Sequence, residues 1–81
     1  MNKFVIFNNG NYLQQESLTT KPIWREELST AMRCASCFGA EAISEVTGGR
    51  VFWLGYRDKP THEYIWDAKK GKFQINSLDK S

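Results

Sequence analysis

Two cysteines, two prolines and one histidine are the whole stock of these residues in a chain of 81. Two cysteines cannot make the dense disulfide scaffold of a small secreted domain. The longest apolar run near the start, Phe4-Val5-Ile6-Phe7, is too short for a signal-peptide core or a membrane span. No glycine-rich loop of the phosphate-cradling kind is present, since Gly48-Gly49 reads as a turn. The carboxylates form no tight cluster suited to acid–base work. The length suits one domain spanning residues 1–81 and leaves no room for a dinucleotide-binding, kinase or hydrolase scaffold with its active site. These shortages favour a binding module over an enzyme, with no catalytic residues, metal or cofactor expected. They also favour a cytoplasmic protein with free thiols, housed in a bacterial cell and making no membrane contact.

What the chain does carry is aromatic bulk. Five Phe, three Trp and three Tyr supply enough apolar surface to fold and argue against disorder. A domain of this size hides only about 60% of its unfolded surface, so its stability margin is thin. The net charge of +2 is unevenly spread. Residues 1–48 hold four basic and five acidic side chains, whereas residues 49–81 hold seven and four. A basic C-terminal part argues against an acidic mimic of DNA and permits a nucleic-acid or acidic-protein partner.

Residues 3–15 read as a β-hairpin about Asn9-Gly10, because a tight two-residue turn requires positive φ at both central positions. Residues 16–21 are polar and read as a connection. Leu28, Ala31, Met32, Ala35 and Phe38 recur at helical spacing, with Pro22 before them, Glu26 and Glu27 early and Gly39 after. This pattern predicts a helix over about 24–37. The remainder predicts an antiparallel meander, with strands at 41–46, 51–56, 63–66 and 72–75 and a fraying tail from Asn76. The expected fold class is α+β: one α-helix packed on a curved antiparallel sheet with an N-terminal β-hairpin.

Cys34-Ala35-Ser36-Cys37 would lie near the C-terminus of that helix, where the dipole opposes thiolate formation. The pair therefore reads as small apolar residues, and His62 as a surface histidine. The clearest chemical signal is the interleaving of aromatic and basic residues over 50–73. It comprises Arg50, Trp53, Tyr56, Arg57, Lys59, Tyr64, Trp66, Lys69, Lys70, Lys72 and Phe73. Such a face can stack bases and follow a phosphate backbone, or form a protein-binding patch. Alternatively, most of the rings are core.

Leu28-Ser29-Thr30-Ala31-Met32-Arg33-Cys34-Ala35-Ser36 resembles a helix of small phage-encoded anti-CRISPR proteins of the type I-F group. The likeness continues through Cys37-Phe38, resumes at Trp53-Leu54-Gly55-Tyr56-Arg57 and ends at Trp66. It spans residues 28–67, about half of the chain. Met32 stands where the similar protein has a lysine. The resemblance implies an inhibitor that binds the backbone subunits of a host CRISPR-Cas ribonucleoprotein and blocks recognition of target DNA. It also implies that Arg33 contacts that partner. Residues Arg50, Tyr56, Arg57, Lys59, Lys69, Lys70 and Lys72 complete the candidate partner-binding set, drawn from the basic, aromatic C-terminal part. The alternatives are a small protein that binds bare nucleic acid through the sheet, and an inhibitor of another host enzyme such as a polymerase or nuclease.

Overall fold

Asn9 and Gly10 take φ values of 50° and 85°, and this left-handed pair folds the first hairpin as the sequence requires. The computed structural model describes residues 3–18 and 21–78. Strand β1 (Phe4–Asn8) turns into β2 (Asn11–Leu13), which pairs with the two-residue β3 (Trp24–Arg25). After the single helix α1 (Cys37–Thr47) come β4 (Arg50–Leu54), β5 (Pro60–Asp67) and β6 (Lys72–Ser77). The six strands form one sheet in the order β3-β2-β1-β4-β5-β6, every neighbouring pair antiparallel. The α+β class, the hairpin and the C-terminal meander are as expected. Asn76 and Ser77 remain in β6, and the Leu78 N–H bonds the Thr61 carbonyl at 2.9 Å, so the ladder outlasts the point where fraying was expected. The rest of that tail, 79–81, lies outside the described residues, as do Thr19 and Thr20 of the expected connection.

The helix is displaced from its expected place. Residues 24–36 are not helical, and the segment read as a strand at 41–46 lies inside α1. Ser36, in extended conformation, caps the helix by accepting the Phe38 N–H at 3.1 Å. Gly48, at φ 86°, ends it with a bond from its N–H to the Ser44 carbonyl. Gly39 is thus in the first turn of the helix and does not end it. The face turned to the sheet carries Ala40, Ile43, Ser44 and Thr47, the spacing of an α-helix. Two of these four are polar, which hid the stripe in the sequence. Their hydroxyls are satisfied locally, Ser44 donating to the Glu41 carbonyl and Thr47 to that of Ile43.

Three of the residues that mimicked a helical stripe, Leu28, Ala31 and Met32, divide between two cores instead, while Ala35 and Phe38 are exposed. The backbone at Ala31–Cys34 runs extended. Met32 donates to the Leu13 carbonyl at 2.8 Å, while Cys34 and Phe4 exchange bonds of 2.7 and 3.0 Å. Ala31 and Leu28 pack with Val5, Phe52 and Leu54 on one face of the sheet. Met32 packs with Ile6, Leu13, Trp24 and Ile43 on the other, beneath the helix. Neighbours in sequence go to opposite faces, as strand geometry demands. Fully burying a side chain such as Ile6 or Leu54 is worth about 1.5–3 kcal/mol, so neither small core can lose one cheaply.

Gly49 sits where the chain leaves α1 for β4, against the side chains of Ile6 and Trp24. A Cβ there would overlap the Ile6 methyl and lie 2.9 Å from the Trp24 ring. Gly49→Ala is expected to destabilise the fold by about 1–3 kcal/mol through overpacking. Urea unfolding checks this, and a midpoint equal to that of the wild type would contradict it.

Candidate partner-binding surface

The bend between β4 and β5 carries the most unusual backbone in the molecule. Arg57 (φ 56°, ψ 33°) and Asp58 (φ 54°) are consecutive non-glycine residues in the left-handed region. Each such residue costs roughly 1–2 kcal/mol unless its surroundings hold it. Three backbone bonds close the bend: Asp58 to the Gly55 carbonyl at 3.1 Å, Lys59 to that of Tyr56 at 3.2 Å, and Gly55 to that of Lys59 at 2.9 Å. The Asp58 carboxylate ties it to the body of the domain, accepting from Lys3 Nζ at 2.9 Å and lying 4.0 Å from Arg33 Nη1. The Lys3 hydrogen bond and charge, with a smaller contribution from Arg33, hold the Asp58 carboxyl below the usual aspartate value.

This bend assembles half of the expected set. Tyr56 stands 75% exposed, and the Arg57 guanidinium lies over its ring at 5.1 Å. Lys59 follows directly, and Arg33 approaches from a distant part of the chain. Lys3 and Arg33 flank the carboxylate, Arg57 covers the open ring and Lys59 is next in the chain after Asp58, a composition suited to an anionic partner. Arg33 reaches it from extended backbone, not from the helix that the resemblance implied. Lys3 and Asp58 were absent from the sequence-derived set. No local signal could reveal them, because their pairing spans 55 positions.

The other expected residues lie elsewhere. Lys69 and Lys70 occupy the turn from β5 to β6 and Lys72 opens β6; the Asp67 carboxylate accepts the backbone N–H groups of Lys69 and Lys70 at 3.0 and 3.2 Å. The eight residues of β5 separate this turn from the Tyr56 bend by more than ~20 Å. Arg50 is engaged at a third place. Its Nε and Nη2 grip the buried Glu63 carboxylate at 2.8 and 3.1 Å in a two-pronged pair. The basic residues therefore form two separate patches, with Arg50 apart from both, exposed but tied to a buried carboxylate.

The sheet aromatics do not form an open row. Trp53, Tyr64, Trp66 and Phe73 are half-buried. Trp66 and Phe73 meet edge to face at 5.1 Å, Phe4 and Tyr64 at 5.0 Å, and Phe38 of the helix closes on Phe73 at 5.3 Å. Beside them a cleft of ≈ 270 Å³ is lined by Glu41, Ser44, Glu45, Tyr64 and Trp66, among others. Burial and the neighbouring Glu45 raise the Glu41 carboxyl above its ordinary value. Arg50 and Glu63 line the same cleft, so acidic and basic groups share this side of the molecule.

Cys37 opens α1 and Cys34 lies in extended backbone before it, so the pair sits at the N-terminal end of a helix, opposite to the expected placement. Both thiols are free and half-buried. Burial pushes the Cys34 thiol up. His62 is held between Thr61, whose hydroxyl lies 3.0 Å from Nδ1, and the edge of Trp53 at 5.7 Å. Among the described residues no helix is long and apolar enough to cross a membrane.

Two titrations test this account. A lowered aspartate contributes stability that is complete above its unfolded value and lost as the pH falls through its folded value. The Asp58 carboxyl should therefore titrate below 3.8 by NMR and move upward in Lys3→Met. A midpoint at or above 3.8 in the wild type contradicts the anchor. In Cys37→Ser, alkylation of Cys34 should show a midpoint above the ordinary thiol value of 9.0. A midpoint below that value means that the thiol is not shielded as described. Compared with known proteins, the chain matches no family model, no curated protein and no solved structure.

Proposed function

We propose that this protein is an inhibitor of the anti-CRISPR kind, which acts by binding rather than catalysis. In this reading it docks on a host CRISPR-Cas ribonucleoprotein in the bacterial cytoplasm and obstructs recognition of target DNA. The observation that carries the proposal is the bend at 56–59. There an exposed tyrosine, an arginine over its ring and Lys59 are carried by a bend with two residues in left-handed backbone, and Lys3 and Arg33 reach its Asp58 from other parts of the chain. A ribonucleoprotein offers both phosphates and protein surface to such a patch. Steric obstruction needs about 800 Å² on each partner, a small part of the 5528 Å² that the molecule exposes. The resemblance at residues 53–57 overlaps the bend itself. Binding of bare single strands by base stacking has less support, because the sheet rings spend their edges and faces on one another.

Capture of the tagged protein's partners from a CRISPR-bearing bacterial lysate, washed at ~0.5 M salt, tests the proposal. The expected catch is a Cas complex with its guide RNA. Combining Arg57→Glu with Lys59→Glu should weaken capture at least ~10-fold, with the circular dichroism spectrum unchanged. Combining Lys69→Glu with Lys70→Glu, on the distant patch, should change it little. Recovery of nucleic acid alone, lost at that salt, would replace the proposal with direct nucleic-acid binding. Recovery of an unrelated host enzyme would replace it with inhibition of that enzyme.

A further inference from the structure

The two edges of the sheet differ. β3 is two residues long, whereas β6 presents six. The direction of the β6 backbone groups follows from its register. Leu78 lies opposite Thr61 by continuation of the β5–β6 pairing and donates to its carbonyl at 2.9 Å, which marks a hydrogen-bonded pair. Such pairs alternate along an antiparallel ladder. Lys72, Gln74 and Asn76 therefore turn their N–H and C=O groups inward to β5. Phe73 and Ile75 turn theirs outward, away from the sheet. Natural edges are usually guarded by charge, proline or a bulge. The stretch Phe73-Gln74-Ile75-Asn76 contains no charge and no proline, and its pairing with β5 is regular throughout. Ile75 is also 53% exposed, on the face that carries the helix.

We infer that β6 is a self-association edge, pairing antiparallel with β6 of a second copy about a two-fold axis through Gln74. In this register Phe73 faces the partner's Ile75, and Ile75 faces the partner's Phe73. The outward groups of Phe73 and Ile75 are satisfied in each chain: two residue pairs, with two hydrogen bonds in each, make four bonds between the chains. The side chains of Phe73 and Ile75 share one sheet face, so each contact sets an aromatic ring against a β-branched residue, a favoured cross-strand pair. Gln74 faces the partner's Gln74 on the opposite face, where the two amides can bond each other. Lys72 faces the partner's Asn76, so no like charges meet. The product is one continuous sheet of two six-stranded halves. The second copy is the occupant these observations favour, because the edge is complementary to itself in both hydrogen bonding and side chains. The Tyr56 bend lies at the opposite end of β5 from the Lys69–Lys70 turn, and the inference does not depend on the proposed partner.

Sedimentation over ~5–500 µM tests it, a range chosen because a small strand-edge interface belongs to the weak class. The expected result is a mass rising with concentration from 9.4 kDa towards twice that value. The Phe73 and Ile75 amides should gain at least ~10-fold protection from hydrogen exchange in step with the mass. Ile75→Pro removes an outward N–H and leaves the bonds to β5 intact, a position where an edge strand tolerates proline. It should remain monomeric throughout. Ile75→Lys, which keeps the N–H and places a charge opposite the partner's Phe73, should also be monomeric and serves if the proline variant does not fold. A wild-type chain that stays at 9.4 kDa across the range, or a dimer that survives both variants, overturns the inference. Loss of partner capture by Ile75→Lys in a chain that is monomeric throughout would reassign the edge to a strand of that partner.

Discussion

The fold depends on β1 being buried from both sides. Val5 and Ile6 are adjacent and both fully buried, and a strand sends neighbours to opposite faces. Each face of the sheet therefore has to be covered near its centre. On one side α1 supplies the cover through Ala40 and Ile43. On the other, the irregular segment around Leu28 and Ala31 lies over Val5, Phe52 and Leu54. Among the described residues α1 is the one α-helix, and the second cover is made from chain largely without regular secondary structure. Such chain cannot satisfy its own backbone, and the buried Gln14 makes up part of the deficit. Its amide donates to the carbonyls of Tyr12 at 2.9 Å and Glu27 at 3.2 Å, and its oxygen accepts from Thr30. One buried side chain thus fastens the second cover to the hairpin.

Charge is distributed by the same architecture. The Arg50–Glu63 pair lies on the sheet, with the carboxylate buried and bonded by both prongs of the guanidinium. The Lys3–Asp58 and Arg33–Asp58 contacts tie the bend with its left-handed residues to the body of the domain, beside the backbone bonds that close it. The glutamates of α1 face a cleft on the helix side. An overall charge of +2 says little about this arrangement. The functional proposal rests on the segregation of sign, which gives one small region four cations and an open ring.

Legibility in the sequence followed the range of the interactions. The first hairpin was readable because Asn9-Gly10 meets the positive-φ requirement locally. The three C-terminal strands were readable because β-forming residues there are separated by turn residues. The helix was misplaced because two patterns competed. Leu28, Ala31 and Met32 have helical spacing but serve opposite faces of a sheet, and Ala35, which continues the pattern, is exposed. The true helix hides its inner face behind Ser44 and Thr47, whose hydroxyls bond their own backbone. Ser36 and Gly48 were correct caps in plain view, but Gly39 offered an earlier stop. The error carried over to the thiols, which moved from the C-terminal to the N-terminal end of a helix. Of the expected binding residues, Tyr56, Arg57 and Lys59 were found together because they are consecutive or nearly so.

The sequence by itself determined the class of this protein: a small α+β domain, rich in aromatics, with a tight N-terminal hairpin and a basic C-terminal part. These properties follow from composition and from contacts a few residues long, which any reading of periodicity can reach. Only the tertiary structure decided which segment became the helix, which cations share a surface and which strand edge is left open. Each of those depends on pairings across tens of residues, such as Lys3 with Asp58 or Phe4 with Cys34. Local propensity is a weak force beside the burial of two faces of a sheet, and burial is settled only when the distant parts of the chain meet.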